Sequence, residues 1–189
     1  MNKNKIAVLG NMNNAGFVLM RHLRDLGEDA HLLLYKNDGV GYSSHFSLES
    51  DSWDEKKWQP YIHNLPISNS YGAALSNSLF LKIILFFAFY VRIILGSQNA
   101  ELTRPASKKE ILEFKKILSK YDKFFGSGSS PAIFAANELT LDIFFPYSMG
   151  IENFNEKFFL KLTKSKNFII KLIASKMRNL QRQGIVRSK

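Results

Sequence analysis

Three side-chain amides, Asn11, Asn13 and Asn14, follow Gly10 at the point where an apolar run gives way to a helical pattern. An amide both donates to and accepts from hydroxyls, so a loop built of them suits a polyhydroxylated ligand. The other reading is structural: Asn is a preferred helix cap, and the three would then only fill a turn. Gly10 and Gly16 stand six apart, and this is not the three-glycine pattern that brings a backbone up to a dinucleotide pyrophosphate. A second stretch, Gly126-Ser-Gly-Ser-Ser-Pro131, repeats the logic. Gly126 and Gly128 permit close backbone approach, Ser129 or Ser130 can cap, and Pro131 suits a first helical position. N–H groups at such a helix start favour a phosphate or sugar oxygen; a plain structural turn is the alternative. Trp53 and Trp58 offer faces for stacking on a sugar ring, with Asp54 or Glu55 for its hydroxyls, or else they pin a loop to the core.

The elements that must hold these bends follow from periodicity. Ile6 to Leu9 is a continuous apolar run, which suits a strand buried on both faces of a parallel sheet. Ala15, Leu19, Leu23 and Leu26 recur at helical spacing and predict the inner stripe of a helix that Gly27 stops. Ala30 to Tyr35 predicts the next strand, so the chain opens with a β-α-β unit whose first bend lies where open α/β sheets bind ligands. Lys36 to Pro60 has no sustained period, contains the turn signal Asn37-Asp-Gly39, and is long for a connection. Tyr61 to Ile67 predicts a short third strand. Ser107 starts a helix with Ile111, Phe114, Ile117 and Leu118 at helical spacing. Tyr121 to Phe125 then predicts a strand, Ala132 to Asn137 a helix, and Leu141 to Pro146 a last strand. The expected fold is α/β, a Rossmann-like three-layer domain with a mostly parallel sheet, followed by a long basic helix.

Two segments point toward a membrane. From Leu79 to Leu95, 15 of 17 residues are apolar, broken by Lys82 and Arg92. A helix of that length is about 26 Å long, marginal for a hydrocarbon core of about 30 Å, with its cations near the ends where they can snorkel. A helix buried in the domain or dipping into one face of a bilayer fits better than a spanning one. The second segment, Glu156 to Gln183, reads as one basic amphipathic helix with Phe158, Leu162, Ile169, Ile173, Met177 and Leu180 on one side. Lys161, Lys164, Lys171, Lys176 and Arg178 are its candidate contacts with anionic lipid; the alternative is a solvated helix packed on the sheet.

The charge distribution supports this division. The 189 residues carry a net charge of +10, of which the segment from Asn155 contributes +9, with ten basic residues and one acid. The remainder is nearly balanced, and no aromatic or groove-reading element accompanies the basic helix, so nucleic acid is not an expected partner. With no cysteine, disulfides and thiolate metal sites are excluded, and a reducing compartment fits. The four histidines, His22, His31, His45 and His63, show no metal-ligand spacing. The apolar run after the first five residues is too short for a signal-peptide core, which predicts a protein that is not secreted.

Strand–Gly10-Asn-Met-Asn-Asn14–helix, Tyr121-Asp-Lys-Phe-Phe-Gly-Ser-Gly-Ser-Ser-Pro131 and Phe145-Pro-Tyr-Ser-Met-Gly-Ile-Glu152 together resemble the N-terminal half of GT-B glycosyltransferases, of the family 4 type that builds bacterial surface polysaccharides. The resemblance runs over residues 5–183 through short motifs. It implies two Rossmann-like domains facing each other across a cleft, the first holding the acceptor beside the membrane and the second holding a nucleotide-sugar donor. On that pattern residues 1–154 are the acceptor-side domain, 155–189 a basic helix and tail, and the donor-binding domain is absent. The implied acceptor contacts are Gly10, Asn11, Asn13, Asn14, Gly128, Ser129, Ser130 and Tyr147. The chain departs from the family at Pro146-Tyr-Ser-Met-Gly150, where relatives carry an acid after Pro-Tyr-Gly and a small residue, so no catalytic base is assigned. The implied partners are a glycan or lipid-linked acceptor, an anionic membrane surface at the cytoplasmic face of the cell membrane, and a separate donor-binding domain. The chain alone, with no cofactor of its own, is expected to be inactive. A noncatalytic membrane-binding module is the rival reading; a nucleotide-dependent oxidoreductase is disfavoured by the missing third glycine.

Overall fold

A computed structural model describes residues 4–11, 14–36, 55–68, 71–96, 104–145 and 168–188. Five strands form one sheet in the order β3-β2-β1-β4-β5. These are β1 (Lys5–Leu9), β2 (Asp29–Lys36), β3 (Ile62–Ser68), β4 (Lys123–Gly126) and β5 (Ile143–Phe144). Every pairing among them is parallel, with Leu9 opposite Leu33 on one side and Gly126 on the other. Parallel strands need crossovers that cover both faces. Accordingly Ala7, Val8 and Leu9 are wholly buried, as are Leu32 and Leu33. The fold is the Rossmann-like α/β arrangement expected from the sequence. The last strand is shorter than the run Leu141 to Pro146 predicted, since only Ile143 and Phe144 pair with β4.

One face of the sheet is covered by α1 (Ala15–Asp25), where Phe17 and Met20 pack with Ile6, Val8, Leu32, Leu34 and Trp58. The predicted stripe of Ala15, Leu19, Leu23 and Leu26 is only the flank of the buried face: Leu19 and Leu23 are half-buried against this core. Gly16, Phe17 and Met20 point inward, while Leu26 is 79% exposed. The reason is a close approach: a Cβ on Gly16 would lie 1.9 Å from the Gly10 carbonyl oxygen. That contact turns the Gly16/Met20 row of the helix onto the strand. Gly27, with φ of +87°, ends the helix as expected.

The opposite face carries the larger core. It takes Phe114 and Leu118 from α5 (Lys108–Leu118), Ile133 and Phe134 from α6 (Ser130–Ala136), and Ala73 to Leu75 from α3 (Tyr71–Leu75). Helix α5 begins on a capping box: the Ser107 hydroxyl accepts from the Glu110 N–H at 3.1 Å, and the Ser107 N–H donates to the Glu110 carboxylate at 2.7 Å. The long helices predicted at the two membrane-directed segments are α4 (Leu79–Ile94) and α7 (Phe168–Arg187). Helix α4 is neither buried nor a span. Only Leu81 and Leu85 enter the core, and no helix among the described residues is long and apolar enough to cross a membrane.

Helix α7 follows the alternative expected for it, a helix packed on the domain, with Ile173, Met177 and Leu180 of the predicted apolar side against the core. Its Ala174, Met177, Leu180 and Gly184 are buried against the domain, whereas Ile169, of the same predicted apolar side, is 44% exposed near the start of the helix. The segment behaves as part of the same core. Gly184 lies so near α6 that a Cβ there would fall 2.0 Å from the Pro131 carbonyl oxygen. The short element α2 (Glu55–Trp58) and a 3-10 turn at Gln59–Tyr61 lead into β3. Trp58 is buried and meets Phe17 edge to face at 6.2 Å, so it pins this turn to the core and is closed to a sugar ring. Trp53 and Asp54 lie outside the described residues.

Candidate functional site at the carboxyl edge of the sheet

β1 has β2 on one side and β4 on the other, and the chain crosses over in opposite directions from it. In open α/β sheets the crevice outside the strand ends at such a point is the usual ligand site. Both glycine-bearing bends fall there. Gly10 follows β1 with φ of +83°, and its missing Cβ would sit 3.3 Å from the Ser127 hydroxyl oxygen, so the two bends touch. The Ser127 hydroxyl donates to the Leu9 carbonyl at 3.4 Å and ties the bends together from below.

The amides divide by depth. Asn11 is buried, and its Oδ1 accepts from the Phe17 N–H at 2.8 Å, satisfying a donor in the first turn of α1. Its Nδ2 faces Asn14 Oδ1 at 3.5 Å. Asn11 therefore does the structural task that the sequence left open. Asn14, half-buried with φ of 65°, occupies the cap position without a side-chain cap bond and lies at the rim. Asn13 and Tyr147 lie outside the described residues.

The second bend is likewise sealed from beneath. Ser130 is fully buried, and its hydroxyl pairs with the Tyr35 hydroxyl at 2.8 Å; burial pushes that phenol up. Of the two readings of the α6 start, N–H groups open to a ligand oxygen or a structural turn, the hydrogen bonds of Ser130 and Ala132 follow the second. Ser130 N–H donates to Ser127 carbonyl at 3.0 Å, Pro131 has none, and Ala132 N–H donates to Gln181 Oε1 at 3.1 Å. Gln181 Nε2 in turn donates to the Gly128 carbonyl at 3.0 Å. One buried side chain of α7 thus clamps the bend. Its sequence context, a glutamine between Leu180 and Arg182, gave no sign of this. The half-exposed rim that remains comprises Asn14, Gly128 and Ser129.

A separate polar cluster lies toward the amino end of the strands. Asp29 and His31 stand two apart on β2 and so share a face, and the register of β2 with β3 brings in His63. His31 Nε2 meets Asp29 Oδ1 at 3.1 Å, and His31 Nδ1 meets His63 Nε2 at 3.0 Å, with the rings stacked. Burial pulls His31 below the ordinary imidazole value despite its Asp29 partner, and burial together with Lys5 and Lys120 does the same to His63. Burial raises Asp29, but the bonds from Arg24 and His31 outweigh it and hold the carboxyl low. With neutral rings, the consistent pattern has His31 Nε2–H donating to Asp29 while Nδ1 accepts from His63 Nε2–H. Among the described residues no group of three or more His, Asp or Glu could hold a metal ion.

Of the predicted membrane contacts, Lys171 and Lys176 are exposed and Arg178 half-buried on α7, while Lys161 and Lys164 lie outside the described residues. No protein-family model, curated protein sequence or solved structure matches the chain.

Proposed function

We propose that the chain is the acceptor-side domain of a GT-B-type glycosyltransferase of cell-surface glycan assembly, working peripherally at a membrane. One observation supports the reading above the others: the Gly10 and Gly128 bends lie side by side at the switch point of a parallel sheet. A glycan acceptor would rest on the rim, with its hydroxyls bonded to the Asn14 amide, the Ser129 hydroxyl and bend backbone. The nucleotide-sugar donor belongs to a second α/β domain closing over the crevice. That domain would supply the cationic and helix-end groups which stabilise a departing diphosphate. The basic side chains of α7 draw the assembly toward an anionic, lipid-linked acceptor pool.

The test is calorimetry of the purified chain with soluble oligosaccharide fragments of surface glycans, beside Ser129→Trp, which fills the rim. Binding that the variant abolishes is expected, with no turnover when nucleotide sugars and a lipid-linked acceptor are added. Turnover by this chain alone would overturn the acceptor-side assignment. Absence of binding to every glycan would favour the second reading, a noncatalytic membrane-surface module. That reading draws on Asn11, Ser130 and Gln181, whose hydrogen bonds are all spent within the fold.

A further inference from the structure

Helix α4 is turned inside out. In a surface helix the apolar stripe faces the core and the polar side faces water. Here Leu81 and Leu85 alone are buried, and the outward arc is Leu79, Phe80, Ile83, Phe87, Tyr90 and Ile94. The spacing 79, 83, 87, 90, 94 is that of one helix face. Phe87 is 71% exposed and Ile94 80%. With Phe86, Val91 and Ile93 also exposed, the arc presents on the order of 1,000 Å² of apolar surface, taking roughly 150–200 Å² per large side chain. Monomeric soluble proteins rarely expose more than about 300–600 Å² contiguously, so this face has a partner.

We propose that the partner is an anionic lipid surface, and that α4 lies in the boundary between headgroups and acyl chains with this arc inserted. Charge decides between the candidates. From Tyr71 to Ala100 there is no Asp or Glu, while Lys82 and Arg92 lie within the helix. A second copy seated on the arc would bring two chains of +10 together, Lys82 against Lys82; an anionic leaflet neutralises the same charges. Length decides the mode. Sixteen residues make a helix about 24 Å long, short of the roughly 30 Å core, which suits an interfacial helix. Tyr rings favour that boundary, and Phe and Leu are typical of the apolar face that an interfacial helix inserts. Helix α7 cannot take this role, because its Met177 and Leu180 are already committed to the domain core; its lysines add long-range attraction only. The inference extends the membrane-surface part of the proposed function and does not depend on sugar transfer.

The experiment is flotation of the full chain with phosphatidylcholine vesicles containing or lacking about one-third phosphatidylglycerol, beside the exposed-site variant Ile83→Glu/Phe87→Glu. The wild-type protein is expected to float with the anionic vesicles. The double variant, with an unchanged circular-dichroism spectrum and melting temperature, should lose at least about tenfold in partitioning. Lys171→Glu/Lys176→Glu should reduce only the salt-dependent part of binding. A wild-type chain that stays in solution, or a double variant that floats as well as wild type, overturns the proposal. So does a concentration-dependent dimer that the double variant dissociates while vesicles compete poorly for it. Soluble-glycan calorimetry on the double variant keeps the two ideas apart, because glycan binding should survive loss of flotation and its absence leaves the flotation result standing.

Discussion

Replacing Gln181 with methionine should cost about 3 kcal/mol while leaving the shape of the α6–α7 contact unchanged. Methionine matches glutamine in length and is larger only by about a methylene, so the change removes two hydrogen bonds and little packing. Gln181 is 1% exposed, and its acceptor serves the N–H of Ala132, which is wholly buried. No water replaces that acceptor, so the orphaned donor costs the full desolvation penalty of about 1–3 kcal/mol. The other partner, the Gly128 carbonyl, belongs to a half-exposed residue and can turn partly to water, so its loss sits near the lower end of that range. Urea unfolding of Gln181→Met and wild type at neutral pH measures the difference. For a chain of this size a loss of 3 kcal/mol lowers the melting temperature by roughly 6–12 °C. A loss below about 0.5 kcal/mol would show that α7 does not clamp the bend, and the account of the sealed α6 start would fall with it.

Three further outcomes follow from the same geometry. Tyr35→Phe and Ser130→Ala should each cost about 1–2 kcal/mol by stranding the buried partner hydroxyl, yet the double variant should cost little more than either. A double-mutant cycle showing no coupling refutes the pair. Stability should fall on both sides of neutrality. His31 and His63 are held below the ordinary value of 6.5, so the unfolded chain takes up protons first as pH drops through that value, and unfolding becomes easier. Asp29 and Glu110, held low by their bonds, add to this loss once pH nears their unfolded values of 3.8 and 4.5. Tyr121, pushed up to about 12 chiefly by burial, and Tyr35 ionise more easily unfolded than folded, so stability also falls above their ordinary value of 10.0. Denaturant midpoints at pH 5, 8 and 10.5 check both limbs; a higher midpoint at pH 5 than at 8 contradicts the histidine assignment. Ser107→Ala, which removes the capping box on α5, should cost about 1 kcal/mol in the same assay.

How much of this was readable in the sequence depends on the reach of each interaction. The β-α-β opening was legible because Ile6 to Leu9 and Ala30 to Tyr35 are continuous apolar runs, and Gly27 marks the helix end locally. The start of α5 at Ser107 was legible for the same reason, although its capping partner Glu110, three residues on, was not singled out. The inner face of α1 was legible only in part, through Leu19 and Leu23; its deepest row was not, because the close contact there is between Gly16 and the Gly10 carbonyl, a meeting of backbones that side-chain spacing does not encode. Composition told that α4 is apolar but not that its apolar side faces outward, since burial is a property of neighbours. The two bends were correctly placed at strand ends. Their floor was invisible because Gln181 finds partners 49 and 53 residues away and Tyr35 finds Ser130 at a separation of 95. Asp29 and His31 could be paired from their spacing, but His63 joins them only through strand register.

The clamp from α7 also has a consequence for the order in which the molecule can be made. A growing polypeptide that has left the ribosome only as far as β5 already holds all five strands, yet the Ala132 amide lacks its acceptor and the groove over Pro131 lacks its lid. The sheet can therefore assemble early, while the second bend acquires its final form only after Gln181 and Gly184 have emerged.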